Sequence, residues 1–424
     1  MKNKTYNIAI IGLGYVGLPL AVAFAKHYPT IGYDINIERI NELKQGKDST
    51  LETTAEQLKA ANLLSFTTSL NDIKKSNLYI ITVPTPVDAN NLPELSPLEQ
   101  ASIAIGSLLK KGDIVVYEST VFPGATEEYC AKILEKHSGL ILNKDFTLGY
   151  SPERINPGDK VHTLQTIIKV VAASNKATEE VLTKIYSQII EAGVFLASSI
   201  KVAEASKAVE NTQRDMNIAF MNELSVMFNH MGIDTLDVIE TASTKWNFLP
   251  FTPGLVGGHC IGVDPYYLIH KSQESGYYPQ LITTARRINE SMSQYVVDRF
   301  LKKMALSRIH IVNAKILIMG LTFKENCPDL RNTRVVEIID ELTKCHASVD
   351  VFDPWADSKQ AKEFFNIDIQ QSLISNHYDA VLLAVPHKQT IQMGENKIRK
   401  LLNNKGIIFD IKGMFPPNAV DERL

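Results

Sequence analysis

The residues with the plainest chemical reading stand near the start of the chain: Gly12-Leu-Gly14-Tyr15-Val16-Gly17, with Asp34 twenty residues past Gly14. In such a run the first glycine permits a tight turn and the second lets main chain approach a pyrophosphate at a helix N-terminus. The third allows the helix to pack closely on its strand. An acid that ends the next strand accepts hydrogen bonds from the adenosine ribose and repels a 2′-phosphate, which favours NAD over NADP. Tyr15, Val16 and Arg39 join Gly12, Gly14, Gly17 and Asp34 as cofactor-site candidates. The alternative is a glycine-rich turn with no ligand, and the strand-turn-helix-strand-acid context argues against it.

Two later apolar runs end in Val83-Pro-Thr85-Pro and Glu118-Ser-Thr120-Val-Phe-Pro-Gly124. In an open α/β sheet, ligands lie beyond the carboxyl ends of the strands, so Thr85 and Thr120 fall where a nicotinamide ribose or ring would be. Taken singly, each reads more readily as a turn or cap residue. Gly257-Gly-His259-Cys260-Ile-Gly-Val-Asp264 sets a cysteine after two glycines and a carboxylate four residues on. A thiolate nucleophile needs a polarised neighbourhood and room for a substrate carbon, both available here, although a buried small hydrophobe is the commoner fate of cysteine. A Cys260–His259 dyad is disfavoured because adjacent residues usually point apart. Lys207 and Asn211 are one helical turn apart, with Glu204 and Arg214 nearby; such a set lines a site or forms a solvated face.

These residues need elements to hold them. Apolar β-branched runs at 7–11, 30–33, 78–83 and 114–117 alternate with amphipathic stretches at 37–45, 54–61 and 98–110, the mark of a parallel sheet with crossover helices. A breaker-poor stretch from 202 to 231 predicts a helix roughly 45 Å long, able to link two domains. After an irregular Pro- and Gly-rich segment at 246–267 the first pattern returns: strands at 315–320, 349–353, 380–386 and 406–410, and a helix at 335–344. The expected architecture is α/β, two Rossmann-like doubly wound domains joined by a long central helix and a helical middle. The domains are an NAD-binding one at 1–200, a central helical one at 201–305 and a second Rossmann-like one at 306–424. Only Gly320 remains of a glycine fingerprint in the last, so one dinucleotide site is expected.

The 424 residues balance 44 Lys+Arg against 47 Asp+Glu, with 45% hydrophobic and 21% charged. That balance offers no polybasic field for nucleic acid or anionic lipid, so any anionic ligand must be held locally. Cys130, Cys260, Cys327 and Cys345 are scattered singly, which argues against a structural zinc site or a disulfide framework and suits a reducing cytosol. Residues 8–25 carry no charge and superficially match a membrane span, but their patterned glycines argue for a nucleotide fold instead.

Taken together, the motifs resemble the UDP-glucose/GDP-mannose dehydrogenase family over nearly the whole chain. Ser151-Pro-Glu-Arg-Ile-Asn-Pro-Gly158, Lys201-Val-Ala-Glu-Ala-Ser-Lys-Ala-Val-Glu-Asn-Thr-Gln-Arg-Asp215 and the cysteine motif look like its UDP-N-acetylhexosamine branch, GlcNAc or GalNAc. Gly262-Val-Asp264 stands where UDP-glucose enzymes usually carry Pro-Lys-Asp, which leaves UDP-glucose and UDP-N-acetylmannosamine as alternatives. The resemblance implies a four-electron, NAD-dependent oxidation of a sugar C6 alcohol to an acid, with Cys260 as nucleophile and Lys207 and Asp264 as its polar supports. It gives Asn211 and Thr120 the reacting oxygen or a water, and Glu153 the hydrolytic step. Glu153, Arg154, Lys207, Asn211, Phe248, Gly257 and Lys324 are implied at the substrate, and Arg331 and Thr85 at the cofactor. It further implies a cytoplasmic homodimer or higher homo-oligomer, no nucleic-acid or membrane partner, no metal, and a place in surface polysaccharide synthesis. A degenerate dinucleotide-binding regulator is the non-enzyme alternative, and it has no need of Cys260, Lys207, Asn211 and Glu153 together.

Overall fold

The computed structural model describes residues 5–88, 90–155 and 161–424. They form two compact units, Met1–Glu210 with Tyr266–Tyr278, and Asn211–Pro265 with Pro279–Leu424. Residues 201–210 and 266–278 fall in the first unit, and 211–265 and 279–305 in the second.

In the first unit the strands are β1 (Ile8–Ile11), β2 (Thr30–Tyr33), β3 (Leu64–Thr67), β4 (Leu78–Ile81), β5 (Ile114–Tyr117), β6 (Thr147–Tyr150), β7 (Lys169–Ala173) and β8 (Val194–Leu196). They pair in the order β3-β2-β1-β4-β5-β6-β7-β8. The neighbours β1 and β4 mark the point where the crossovers reverse direction, the place where such sheets bind ligands. Every pair is parallel except β6–β7, which is antiparallel with Tyr150 opposite Ala172. The charge-free run at 8–25 is β1 followed by helix α1 (Gly17–Phe24). Ile8, Ile10, Leu18, Leu20 and Phe24 are wholly buried in one core with Ile80 and Val116, so its apolarity comes from packing on both sides. No described helix is long and apolar enough to cross a membrane.

In the second unit β9 (Lys315–Met319), β10 (Ser348–Phe352), β11 (Tyr378–Leu383), β12 (Leu402–Asp410) and β13 (Glu422–Arg423) pair in parallel as β10-β9-β11-β12-β13. Ile316 and Ile318 face a core with Met292, Val296 and Phe300 of the helix Gln280–Leu306. Leu317 and Met319 face a second core with Val381 and Leu383. This two-sided burial explains the unbroken apolar run of β9. The long helix α2 (Ile200–Met231) begins in the first unit and continues in the second.

Both sheets follow their first strand with a left-handed glycine, Gly12 at φ +95° and Gly320 at φ +102°. In the second sheet, however, the acid after β10 is consumed internally. Asp353 Oδ2 accepts from the amides of Leu321 and Thr322 and lies 3.0 Å from His387 Nε2, while Oδ1 accepts from the amides of Trp355 and Ala356. His387 Nδ1 accepts from the Asn326 amide, so the proton stands on Nε2 and is donated to Asp353. Burial alone would raise the Asp353 carboxyl, but His387 and the amides outweigh it and hold it at about 2. A depressed acid stabilises the fold above its unfolded value of roughly 3.9 and loses that contribution as pH falls through its folded value. Asp353→Asn is therefore expected to cost about 2 kcal/mol at pH 7 and to flatten the loss of stability between pH 4 and 2. Urea unfolding at pH 7 and 3 checks this; parallel acid limbs in variant and wild type would refute it.

Candidate active site

The glycine turn of the first unit fits a pyrophosphate. A methyl group on Gly17 would sit 1.9 Å from the Gly12 carbonyl, so the helix packs against the turn as the third glycine requires. A Cβ on Gly14 would meet nothing within 4 Å, which leaves open space where main chain approaches a ligand. Thr82 ties the turn to β4 by donating to the carbonyls of Ile11 and Gly12 at 3.0 and 2.7 Å. Asp34 accepts once at each oxygen, from Leu13 N at 2.8 Å and Asn36 N at 2.9 Å. A carboxylate has about four acceptor positions, so Asp34 keeps capacity for ribose hydroxyls where Asp353 does not. Arg39 donates to the Leu13 carbonyl and pairs with Asp48 at 2.8 Å, supporting the turn from behind.

At the neighbouring strand ends the Thr85 hydroxyl donates to the Thr120 carbonyl at 2.6 Å, and Ser119 Oγ donates to the Val83 carbonyl. The Tyr267 hydroxyl holds the carbonyls of Thr85 and Pro86. Past Thr120 the chain turns through Gly124 into a π-helix, Ala125–Cys130, whose first amides at Gly124 and Thr126 donate to the buried carboxylate of Glu204. Burial pushes the Glu204 carboxyl up to about 7 despite these bonds. Glu153, after β6, accepts from the amides of Arg154 and Ile155, each at 2.6 Å, and lies 3.2 Å from Lys169 Nζ. Arg154 is turned to Glu210 at 2.9 Å. Asn156, Pro157 and Gly158 of the same motif lie outside the described residues.

In the second unit Cys260 is half-buried one turn before the helix Asp264–Glu274, and its carbonyl accepts from the amides of Val263 and Asp264. The positive end of a helix dipole favours a thiolate placed near it. Asp264 is buried and accepts from the Asn211 amide at 2.5 Å. The glycines before the cysteine have steric reasons. A Cβ on Gly257 would lie 2.7 Å from the Asn332 carbonyl, and Gly258 (φ +82°) packs against the Phe323 ring. The cysteine loop thus rests on the 323–332 segment, which carries Lys324 and Arg331. Arg331 is bound to Asp329 through Nε and NH2, at 3.0 and 2.6 Å. His259 Nδ1 lies 3.7 Å from the same carboxylate, and its ring meets Phe323 edge-on. Phe248 is half-buried in a turn with its amide on the Lys245 carbonyl.

A solvated face on the long helix is excluded for most of its polar set. Lys207 and Asn211 are under a tenth exposed, and Glu204 is fully buried; only Arg214 is open to solvent. The stripe continues through Asp215 and Asn222, both fully buried and both absent from the sequence-based candidates. Asp215 pairs with Arg286 at 2.6 Å and accepts from Asn289; Asn222 clamps the amide and carbonyl of Gly254, ahead of the cysteine loop. The spacing 204, 207, 211, 215, 222 is one helical face, and that signal was available in the sequence. Burial pushes the Cys130 thiol up to about 12.

Residues 6–190 match the NAD binding domain of the UDP-glucose/GDP-mannose dehydrogenase family, 201–291 its central domain and 317–417 its UDP binding domain. A UDP-N-acetyl-D-glucosamine 6-dehydrogenase of Pseudomonas aeruginosa is 54% identical over 99% of this chain and 100% of its own. One of the same description from Salmonella typhi is 52% identical over 98% of each chain. The solved UDP-D-ManNAc dehydrogenase of Pyrococcus horikoshii superposes with a TM-score of 0.88 at 30% identity, covering 98% of both chains. With all three domains matched in order and relatives alike along their whole length, the chain belongs to the UDP-glucose/GDP-mannose dehydrogenase family, whose members are NAD-dependent dehydrogenases.

Proposed function

We propose that this protein oxidises the C6 alcohol of UDP-N-acetylglucosamine to the uronic acid in two successive two-electron steps, with Cys260 carrying the sugar between them. The chemistry rests on one observation above the rest: the turn that sets Cys260 at a helix start, one turn before an Asp264 carboxylate bound to Asn211. The choice of sugar rests on the two full-length relatives described as UDP-N-acetyl-D-glucosamine 6-dehydrogenases.

Bound at the glycine turn with Asp34 on its ribose, NAD supplies the acceptor for the electron pair that leaves C6 in each oxidation. The Cys260 thiolate adds to the aldehyde carbon formed first, giving a thiohemiacetal, which the second oxidation turns into a thioester. Lys207 and Asn211 act as the cation and amide donor for the developing oxyanion, and Asp264 fixes the Asn211 amide. Thr120 holds a water or the reacting oxygen, and Glu153 orients the water that cleaves the thioester. Arg154, Phe248, Gly257 and Lys324 contact the nucleotide sugar, while Tyr15, Val16, Arg39, Thr85 and Arg331 serve the cofactor or its turn. The three functional segments are those at 1–200, 201–305 and 306–424. The product serves surface polysaccharide synthesis in the cytoplasm, and the exposed Val202, Val209, Phe220 and Met227 of the long helix favour a homodimer.

Purified protein is expected to yield two NADH per UDP-N-acetylglucosamine, followed at 340 nm against the uronate formed; a ratio of one would end the thioester reading. Cys260→Ala is expected to lower acid formation by at least about a thousandfold while NAD binding and the melting temperature persist. Asp34→Ala is expected to raise the KM for NAD by roughly 10–100-fold and to narrow the preference over NADP, the loss of hydrogen bonds to a charged acceptor. An unchanged NAD:NADP ratio would remove Asp34 from cofactor choice.

A further inference from the structure

Behind Glu153 lies an ionic cluster that the mechanism above does not use. Lys169, the first residue of β7, is 1% exposed, and Glu118, just past β5, is equally buried. Lys169 Nζ stands 2.7 Å from Glu118 Oε2, 3.2 Å from Glu153 Oε2 and 3.2 Å from the Pro152 carbonyl, so its three donors meet three acceptors. The Tyr186 hydroxyl donates to the other oxygen of Glu118. Glu153 in turn has Oε1 fixed by two amides and Oε2 fixed by Lys169.

An isolated ammonium in such a place is costly, and a wholly buried charge cluster gains little stability over apolar packing. Its effect is on charge and direction. Two carboxylates share one ammonium, and burial raises the Glu118 carboxyl while the two acids keep Lys169 charged against its own burial. We propose that Lys169 is a positioning residue for the acid-forming step: its ammonium, shared between Glu118 and Glu153, holds the Glu153 carboxylate in place and aimed. This rests on the role given to Glu153 under Proposed function. The charged and titratable groups facing Glu153 are Lys169 from β7, Glu118 from the end of β5, Tyr186 from the helix Lys176–Tyr186, and Arg154 of its own loop, which is turned to Glu210 of α2. The cluster therefore contains one cation aimed at Glu153 and one competing anion, and removing either has opposite consequences.

The test compares Lys169→Met, Lys169→Arg and Glu118→Gln with wild type, using full-length enzyme, NAD and UDP-N-acetylglucosamine. Rapid quench reads uronate release, intact mass reads the sugar adduct on Cys260, and both are followed from pH 5 to 9. Lys169→Met is expected to form its first-turnover NADH at near wild-type rate, to accumulate the adduct, and to release acid 10–100-fold more slowly. Lys169→Arg, which keeps a cation between the two acids, is expected to restore acid release. Glu118→Gln removes the competing anion at unchanged side-chain length and leaves the Lys169 charge to Glu153; it is expected to release acid at the wild-type rate or faster with first-turnover NADH unchanged, and it also serves if Lys169→Met folds poorly. General damage would slow both half-reactions together and would not be rescued by Lys169→Arg. Acid release unchanged in Lys169→Met, or slowed no more than the first turnover, on a wild type yielding two NADH would overturn the role of Lys169 alone. A wild type yielding one NADH would remove the hydrolytic step itself, and the proposal with it.

Discussion

Where a parallel sheet ends, its strands leave the ladder with main-chain N–H and C=O groups that must find partners before they are buried. The carboxyl edge of the first sheet is organised around that demand. Thr82 takes the carbonyls of Ile11 and Gly12, Ser119 that of Val83, Thr85 that of Thr120 and Tyr267 those of Thr85 and Pro86; Asp34, Glu153 and Glu204 accept the amides. Each of these side chains fixes a loop at which ligands of this fold gather. The groups that make the edge foldable are thus the groups that give it shape, and a substitution there acts on both.

The second unit meets the same demand around its cysteine loop with a different chemistry. Asn222 pairs with both main-chain groups of Gly254, and Asn289, Asp215 and Arg286 extend that network into the helix Gln280–Leu306. Rigid placement follows, because every member is held by at least one other and buried polar networks are strong only when their members are paired. Close glycine contacts with Asn332 and Phe323 then bring the loop against the segment bearing Lys324. Cys260 thus sits on a loop held by Asn222 ahead of it and by the 323–332 segment beside it.

Much of this was legible in the sequence, and for identifiable reasons. Core strands of parallel sheets are buried on both faces, so residues 8–11, 78–81, 114–117 and 316–319 read as unbroken apolar runs. The glycine turn and Asp34 declare themselves because their spacing is set by local geometry. The helix now bounded at Ile200 and Met231 has few breakers, and its polar stripe follows its period. Lys169 and Glu118 had no such signature. They meet because β7 runs antiparallel to β6, and continuing the Tyr150–Ala172 register by three residues sets Glu153 opposite Lys169. A lysine that opens an apolar strand otherwise reads as a solvated strand end. His387 was hidden for the same reason, since only the pairing of β9 with its neighbours brings it to Asp353.

The two acids that end β2 and β10 show what separates one copy of a nucleotide fold from another. Asp34 holds its turn with half of its acceptor capacity, whereas Asp353 has committed all of it to four amides and an imidazole. A ligand hydroxyl that filled the free positions at Asp34 would add its binding free energy to folding, by linkage. At Asp353 those positions are already filled from within the fold, and the carboxylate makes its contribution without any ligand.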